Sequence, residues 1–306
     1  MRGFDGVAKV GWNAVMQEGR ASRTAERVAM RRAAHQLYDD PPLVFADPLA
    51  LRVLPPVALA ELREREEMER THPFARGMRA FLCARSRFAE DALERAVSGG
   101  VRQYVVLGAG LDTFGARTSL PECAIHPGLR IFEVDHPATQ LWKRTCLEQS
   151  NIHVPESVTF VPVDFESESL MERLAASGFD STSPVFCSWL GVLPYLTREA
   201  AVETLRALGR LPAGSGVAFD YGVTRESLSL KERAAFDWLA ERVARAGEPF
   251  RLGFEPAELG QLLRECGFQR VEDLGGEEIA SRYFSGRRDG LTVRGGLGRL
   301  ACAWRE

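Results

Sequence analysis

The 306-residue chain has no apolar run long enough to span a bilayer, and its first twenty residues contain no continuous apolar stretch of the kind a secretory leader carries. A cytoplasmic protein without a membrane partner is the expectation. A basic surplus is also missing, with 39 Lys and Arg against 42 Asp and Glu for a net charge of -3, so nucleic acid is not expected as a partner. The six cysteines (Cys83, Cys123, Cys146, Cys187, Cys266 and Cys302) form no C-x-x-C pair, which leaves no sign of a disulfide framework or a metal site. Low-complexity tracts and internal repeats are absent too.

What is present changes character at "VSGG", residues 97–100. Before it, from Thr24, apolar residues recur at helical spacing, broken by "DDPPLVFADPLA" and "LPP", where proline forbids continuous helix. The run "ELREREEMER" mixes both signs of charge and reads as a solvated helix face. After it, "QYVVLGAG", "RIFEVD", "VTFVPVD", "SPVFCSWLG" and "SGVAFDYG" alternate with helical patterns such as "PATQLWKRTCLEQS" and "REAAVETLRALGR". That alternation predicts parallel strands with crossover helices, an α/β doubly wound class. Towards the end, "RESLSLKERAAFDWLAERVARAGEP" and "EPAELGQLLRECG" read as helices, "GGEEIASRYFSGRRDG" as a surface loop and "GRLACAWRE" as a final strand.

Ligands in this class sit beyond the carboxyl ends of the strands, so those ends are where chemistry is sought. The first strand runs into "GAGLDTFG": Gly108 and Gly110 allow a sharp turn and close approach, but a dinucleotide fingerprint would want glycine where Thr113 stands. Asp112 in the turn would repel a phosphate and suit a cation. The next strand ends in Asp135 and His136, placed for a carboxylate to accept both hydroxyls of a ribose. The third ends in Asp164 and Phe165, an acceptor for an exocyclic amine beside an apolar wall. Each Asp is equally suited to be a helix N-cap, but three successive strand ends repeating the pattern favour a nucleoside. S-adenosyl-L-methionine meets the demands of a nucleoside with a free diol, no phosphate and a positive sulfonium. Its carboxylate needs a cationic clamp, which Arg85 and Arg87 of "LCARSRFAEDAL" could provide.

Together "TAERVAMRRAAHQ", "FADPLA", "ARSRFAEDAL", "YVVLGAGLDTFGAR", "EVDHPATQLWK", "FVPVDF", "SWLGVLPYLT" and "RYFSGRRDGL" resemble the leucine carboxyl methyltransferase family, in its bacterial branch. The resemblance runs from about Thr24 to Leu291 and keeps motif order. It implies a class I methyltransferase, Rossmann-like, with a seven-stranded sheet whose last strand is antiparallel. An N-terminal helical cap over the active site is implied as well, as residues 1–99 before a cofactor-binding domain of 100–306. By the same resemblance Arg85 holds the cofactor carboxylate, Gly108 and Gly110 form the cofactor turn, Asp135 binds ribose, and Asp164 and Phe165 bracket adenine. The chain departs from the founding members where they carry a cofactor-contacting Glu, since Leu190 precedes Gly191 here. That weakens the transfer of their protein substrate.

Methyl transfer from a sulfonium is an in-line displacement, for which the protein chiefly aligns the reactants and removes water. A carboxylate acceptor is ionised at neutral pH and needs no base, whereas a hydroxyl does. The candidates for base or orienting group are His35, His136 and Tyr195, and Trp189 could offer its ring either to the sulfonium or to the core. The expected acceptor is a small molecule carrying a carboxylate or hydroxyl. Two rivals are a nucleotide-dependent oxidoreductase, disfavoured by the missing third glycine, and an inert binding protein on the same fold, suggested by Leu190.

Overall fold

The change of period at Gly99 is where the architecture changes in the computed structural model, which describes residues 23–120, 123, 127–164, 168–245 and 249–306. Ahead of it lie the helices α1 (Arg23–Tyr38), α2 (Pro56–Glu64), α3 (Glu66–Thr71) and α4 (Pro73–Ser98). Pro56 and Pro73 open their helices, where a missing N–H costs no intrahelical bond.

The mixed-charge run covers α2 and α3 and is solvated only in part. Arg65–Glu61 at 2.8 Å and Arg70–Glu66 at 2.7 Å are exposed (i, i+4) pairs. Glu69 departs from that expectation: it is buried, and it receives both Arg31 and Arg79. Arg79, fully buried on α4, also forks onto Asp39 at 2.6 and 2.7 Å, and Asp39 accepts His35 Nδ1 at 2.7 Å. One buried charge network therefore ties α1, α3 and α4 together.

Beyond Gly99 the helices α5 (Phe114–Arg117), α6 (Pro137–Gln149), α7 (Leu170–Ala176), α8 (Arg198–Leu208), α9 (Leu230–Arg245), α10 (Pro256–Glu265) and α11 (Gly276–Tyr283) lie between strands β1 (Gln103–Leu107), β2 (Arg130–Asp135), β3 (Val158–Pro162), β4 (Phe186–Trp189), β5 (Gly216–Gly222), β6 (Arg270–Leu274) and β7 (Gly298–Trp304). The strands form one seven-stranded sheet in the order β3-β2-β1-β4-β5-β7-β6, and β7 runs antiparallel to both its neighbours. Period-two alternation divides the buried side chains between two cores. Val105, Phe132, Cys187, Trp189 and Phe219 pack on one face of the sheet. Tyr104, Ile131, Phe186 and Ala218 pack on the other, against Ala84, Phe88, Leu93 and Val97 of α4. Helix α4 thus belongs to the sheet's own core as well as to the cap.

The stretch read from sequence as a surface loop contains a helix, α11 (Gly276–Tyr283). Its paired glycines hide the helical signal, but Ile279 is fully buried and the Gly275 N–H donates to the Glu278 carboxylate at 3.0 Å. The segment after it latches onto the α1–α2 connection. Arg287 donates to the carbonyls of Pro42 and Asp40 at 2.6 and 2.7 Å, the Asp40 N–H donates to Asp289 at 3.3 Å, and Arg76 donates to the Asp289 carbonyl at 2.6 Å.

Burial opposes the charge of Asp289, but bonds from Arg287 and from the Leu291 and Asp40 amides outweigh it and bring its pKa down to about 2. A carboxylate with a depressed folded pKa adds stability that is complete above its unfolded value, near 4, and disappears as pH falls through the folded value. Asp289→Asn is therefore expected to lower the unfolding free energy at neutral pH by at most about 2 kcal/mol. In urea titrations the gap between wild type and variant should close as pH falls from about 4 to about 2. A gap independent of pH would remove the ionised carboxylate as its source.

Candidate active site

Leu107 ends β1, and the chain turns through Gly108 (φ +69°) and Gly110 (φ +48°), a region that disfavours side chains. Space forbids them as well: a Cβ at Gly108 would lie 2.4 Å from Val192 Cγ2, and one at Gly110 would lie 2.9 Å from Ala25 Cβ on α1. The crevice over this turn is lined from the carboxyl ends of four strands. It lies where strand order reverses between β1 and β4.

Asp135 closes the turn from the end of β2. Its Oδ2 accepts the Gly110 N–H at 2.5 Å and its Oδ1 accepts the His136 N–H at 2.7 Å. Burial raises the pKa of this carboxyl, against the opposing pull of those two amides. Each oxygen keeps a further lone pair, enough for a vicinal diol. The Gly110 N–H, which a diphosphate cradle would need, is already spent on a carboxylate. His136 lines the crevice and caps α6 (Pro137–Gln149), its Nδ1 accepting the Ala138 N–H at 3.2 Å. Asp164, just past β3, lines the crevice too, whereas Phe165 lies outside the described residues.

Asp112 lines the crevice but does not make the turn anionic, contrary to the sequence expectation. Arg32 of α1 donates to its Oδ2 at 3.1 Å and to the Leu111 carbonyl at 2.5 Å, and the Phe114 N–H donates to its Oδ1 at 2.7 Å. Burial would raise the Asp112 pKa, but Arg32, Lys143 and Arg117 lower it on balance. The carboxylate is thus committed to holding the turn and the cap together.

Arg85 and Arg87 part company because two residues along a helix rotate a side chain by about 200°. Arg85 is buried and lines the crevice, where Nη1 donates to Asp220 at 2.9 Å and Nε has no partner among the described residues. Arg87 sits on the exposed face and pairs with Asp91 at 2.6 Å, so it is no part of a clamp. A buried guanidinium with an unused donor is suited to an anionic ligand group.

Strand alternation sorts the end of β4. Ser188 and Leu190 line the crevice, while Trp189 points to the opposite face, fully buried in the core with its indole N–H unpaired among the described residues. Trp189 therefore offers no face to a ligand in the crevice, and an apolar wall stands at Leu190. His35 is also displaced from the expected role: fully buried in the cap network, it lines neither the crevice nor the chamber beside it. Tyr195, in a 3-10 turn (Leu193–Tyr195), lines both and packs against Phe250 with ring centroids 5.7 Å apart.

That chamber has a volume of about 1400 Å³ among the described residues, and its walls come from the cap, from the loop before β7 and from α9 (Leu230–Arg245). It meets the crevice at Thr24, Val28, Arg85, Gly191 and Tyr195. Sequence reasoning missed Thr24, Val28 and Arg32, although their spacing of four places them on one face of α1. It also missed Asp220 on β5, which carries no turn or motif signal.

The strand order, the single antiparallel strand and the glycine-turn crevice define a class I methyltransferase fold. Solved structures agree on the fold: a DUF574 family protein from Streptomyces avermitilis aligns with TM-score 0.54 at 19% identity, over 94% of this chain and 98% of its own. A Thermobifida fusca protein assigned to the methyltransferases aligns with TM-score 0.55 at 19% identity, over 80% and 88%. The family model for leucine carboxyl methyltransferase matches residues 25–209. A Bacillus subtilis protein assigned by inference as an S-adenosyl-L-methionine-dependent methyltransferase, YktD, is 31% identical over 302 residues, 91% of this chain and 96% of the relative. A similarly assigned Streptomyces coelicolor protein, SCO7813, is 38% identical over half of each chain. The chain belongs to the leucine carboxyl methyltransferase family and is a methyltransferase dependent on S-adenosyl-L-methionine. No described helix is long and apolar enough to cross a membrane.

Proposed function

We propose that the protein methylates an oxygen of a small organic acid held in the chamber under the cap. The observation that supports this most is the junction of crevice and chamber at Thr24, Val28, Arg85, Gly191 and Tyr195, which lets two ligands meet end to end. On this reading Asp135 takes the ribose diol, Asp164 the adenine amine and Arg85 the methionyl carboxylate. The bound cofactor supplies an electrophilic methyl group. The chain's own contribution is alignment and the exclusion of water by the described part of the N-terminal region, helices α1–α4, acting as a cover.

Two features favour a carboxylate over a hydroxyl acceptor. His35 is sealed in the cap and His136 spends Nδ1 on a helix cap, which leaves only Tyr195 of the three base candidates at the junction, so an acceptor already ionised at neutral pH suits the site better than one that must lose a proton. The chamber is also rich in basic side chains without a carboxylate partner among the described residues, namely Arg27, Lys231, Arg242, Arg251 and Arg294. Of its five acids, Glu61, Glu69 and Asp220 are paired with arginines and Glu232 accepts from Ser229 and the Gly296 amide, while Glu226 adds one carboxylate to the wall. Phe74, Phe81, Phe236 and Phe250 supply apolar walls. An acid with a hydrophobic body is the class that fits.

The purified chain should bind S-adenosyl-L-methionine and not a nicotinamide dinucleotide by calorimetry. It should also release S-adenosylhomocysteine with a panel of aromatic and aliphatic carboxylic acids, faster at low than at high salt. Turnover confined to the matching alcohols would overturn the carboxylate assignment, and dinucleotide binding would overturn the cofactor-site assignment.

A further inference from the structure

Asp220 belongs to no motif, yet its two oxygens serve two elements of the active site. It lies on β5 one residue past Phe219, whose partner across the β4–β5 ladder is Trp189, so it stands beside the chain just after the end of β4. Its Oδ2 accepts Arg85 Nη1 from α4 at 2.9 Å, and its Oδ1 accepts the Gly191 N–H, just after β4, at 2.6 Å. Only 5% of Asp220 is exposed, so both bonds are shielded from competition by water. Gly191 in turn supports Arg85: it has φ +70°, and a Cβ there would stand 2.8 Å from both Nη1 and Nη2. The guanidinium thus lies against a residue with no side chain, with a carboxylate joining the two.

We propose that Asp220 is a positioning residue for cofactor binding, fixing the Arg85 fork and the Gly191 turn as one unit. Arg85's unused donors are thereby held ready for the methionyl carboxylate. The proposal rests on the reading of Arg85 as the carboxylate clamp. Charge by itself argues in the other direction, because the Asp220 carboxylate beside Arg85 repels an incoming carboxylate. An electrostatic role alone makes neutralised Asp220 bind cofactor more tightly, and a positioning role makes it bind less tightly. The sign of the change separates the two.

The test is the calorimetric affinity for S-adenosyl-L-methionine of wild type, Asp220→Asn, Arg85→Ala and the double variant, with thermal melts to establish folding. Asp220→Asn is expected to weaken binding about tenfold, the scale of one charged hydrogen bond. Arg85→Ala should weaken it at least as much, and adding Asp220→Asn to Arg85→Ala should cost clearly less than it costs in the wild type, since only the Gly191 turn is left to position. Gly191→Ala crowds the guanidinium from its other side with Asp220 intact, and it is expected to reproduce the loss even if Asp220→Asn folds poorly. Equal or tighter binding by a folded Asp220→Asn, or additive losses in the double variant, would overturn the positioning role while leaving the clamp in place. Wild-type affinity in Arg85→Ala would overturn the clamp and the positioning role together.

Discussion

Arg79→Met is expected to lower the unfolding free energy by about 3–5 kcal/mol, the usual cost of removing one member of a buried charge network. Arg79 is fully buried on α4, where it neutralises Asp39 through a two-pronged contact and reaches Glu69 at 3.2 Å. Burial alone would raise the Asp39 pKa, yet bonds from Arg79 and His35 hold it below the ordinary carboxylate value. Without the guanidinium, Asp39 would have to ionise in a low-dielectric site with only His35 beside it, and Glu69 would keep only Arg31. Methionine fills the stem volume but replaces none of the donors. Urea titration at neutral pH measures the difference. A loss below about 1 kcal/mol would mean that water reaches the network and screens it.

Asp135→Ala should weaken S-adenosyl-L-methionine binding by roughly 10- to 100-fold, about 1–3 kcal/mol, through two additive causes. On the proposed site assignment the ribose hydroxyls lose their acceptor, and the Gly110 and His136 amides lose the carboxylate that fixes the turn. Asp135→Asn separates these, because its single side-chain oxygen can serve only one of the two amides. Its affinity should fall between wild type and alanine. Calorimetry on folded variants supplies the numbers, and unchanged affinity in Asp135→Ala would remove Asp135 from the ribose site.

The sheet was legible in β1–β5 and β7, where short apolar runs are separated by helical stretches, but β6 was not, because three of its five residues, Arg270, Glu272 and Asp273, are charged. The strand ends at Gly108, Gly110, Asp135 and Asp164 were legible from the same apolar runs, and the structure brings all of them to one crevice. What the sequence concealed depended on long-range partners. Glu69 lies in a run of charges that looks uniformly solvated, and only the arrival of α1 and α4 buries it. Asp112 looks like a free anion until Arg32 folds onto it from a distant helix. Trp189 and Leu190 differ by one position on a strand, which decides between core and crevice, and register cannot be read with that precision from a four-residue run. His35 resembles an available base because nothing local shows that Asp39, four residues on, will be sealed in beside it by Arg79.

Helix α1 touches the glycine turn through Ala25 and contributes Thr24 and Val28 to the walls of both compartments. If the crevice holds the methyl donor and the chamber the acceptor, as proposed, redesigning acceptor preference on that helix would disturb affinity for the donor at the same stroke. Helix α9 faces the chamber alone, through Phe236, Leu239 and Val243, and has no fully buried residue. It is the segment on which new substrate tastes can be tried, by evolution or by engineers, without touching the half of the machine that every such reaction shares.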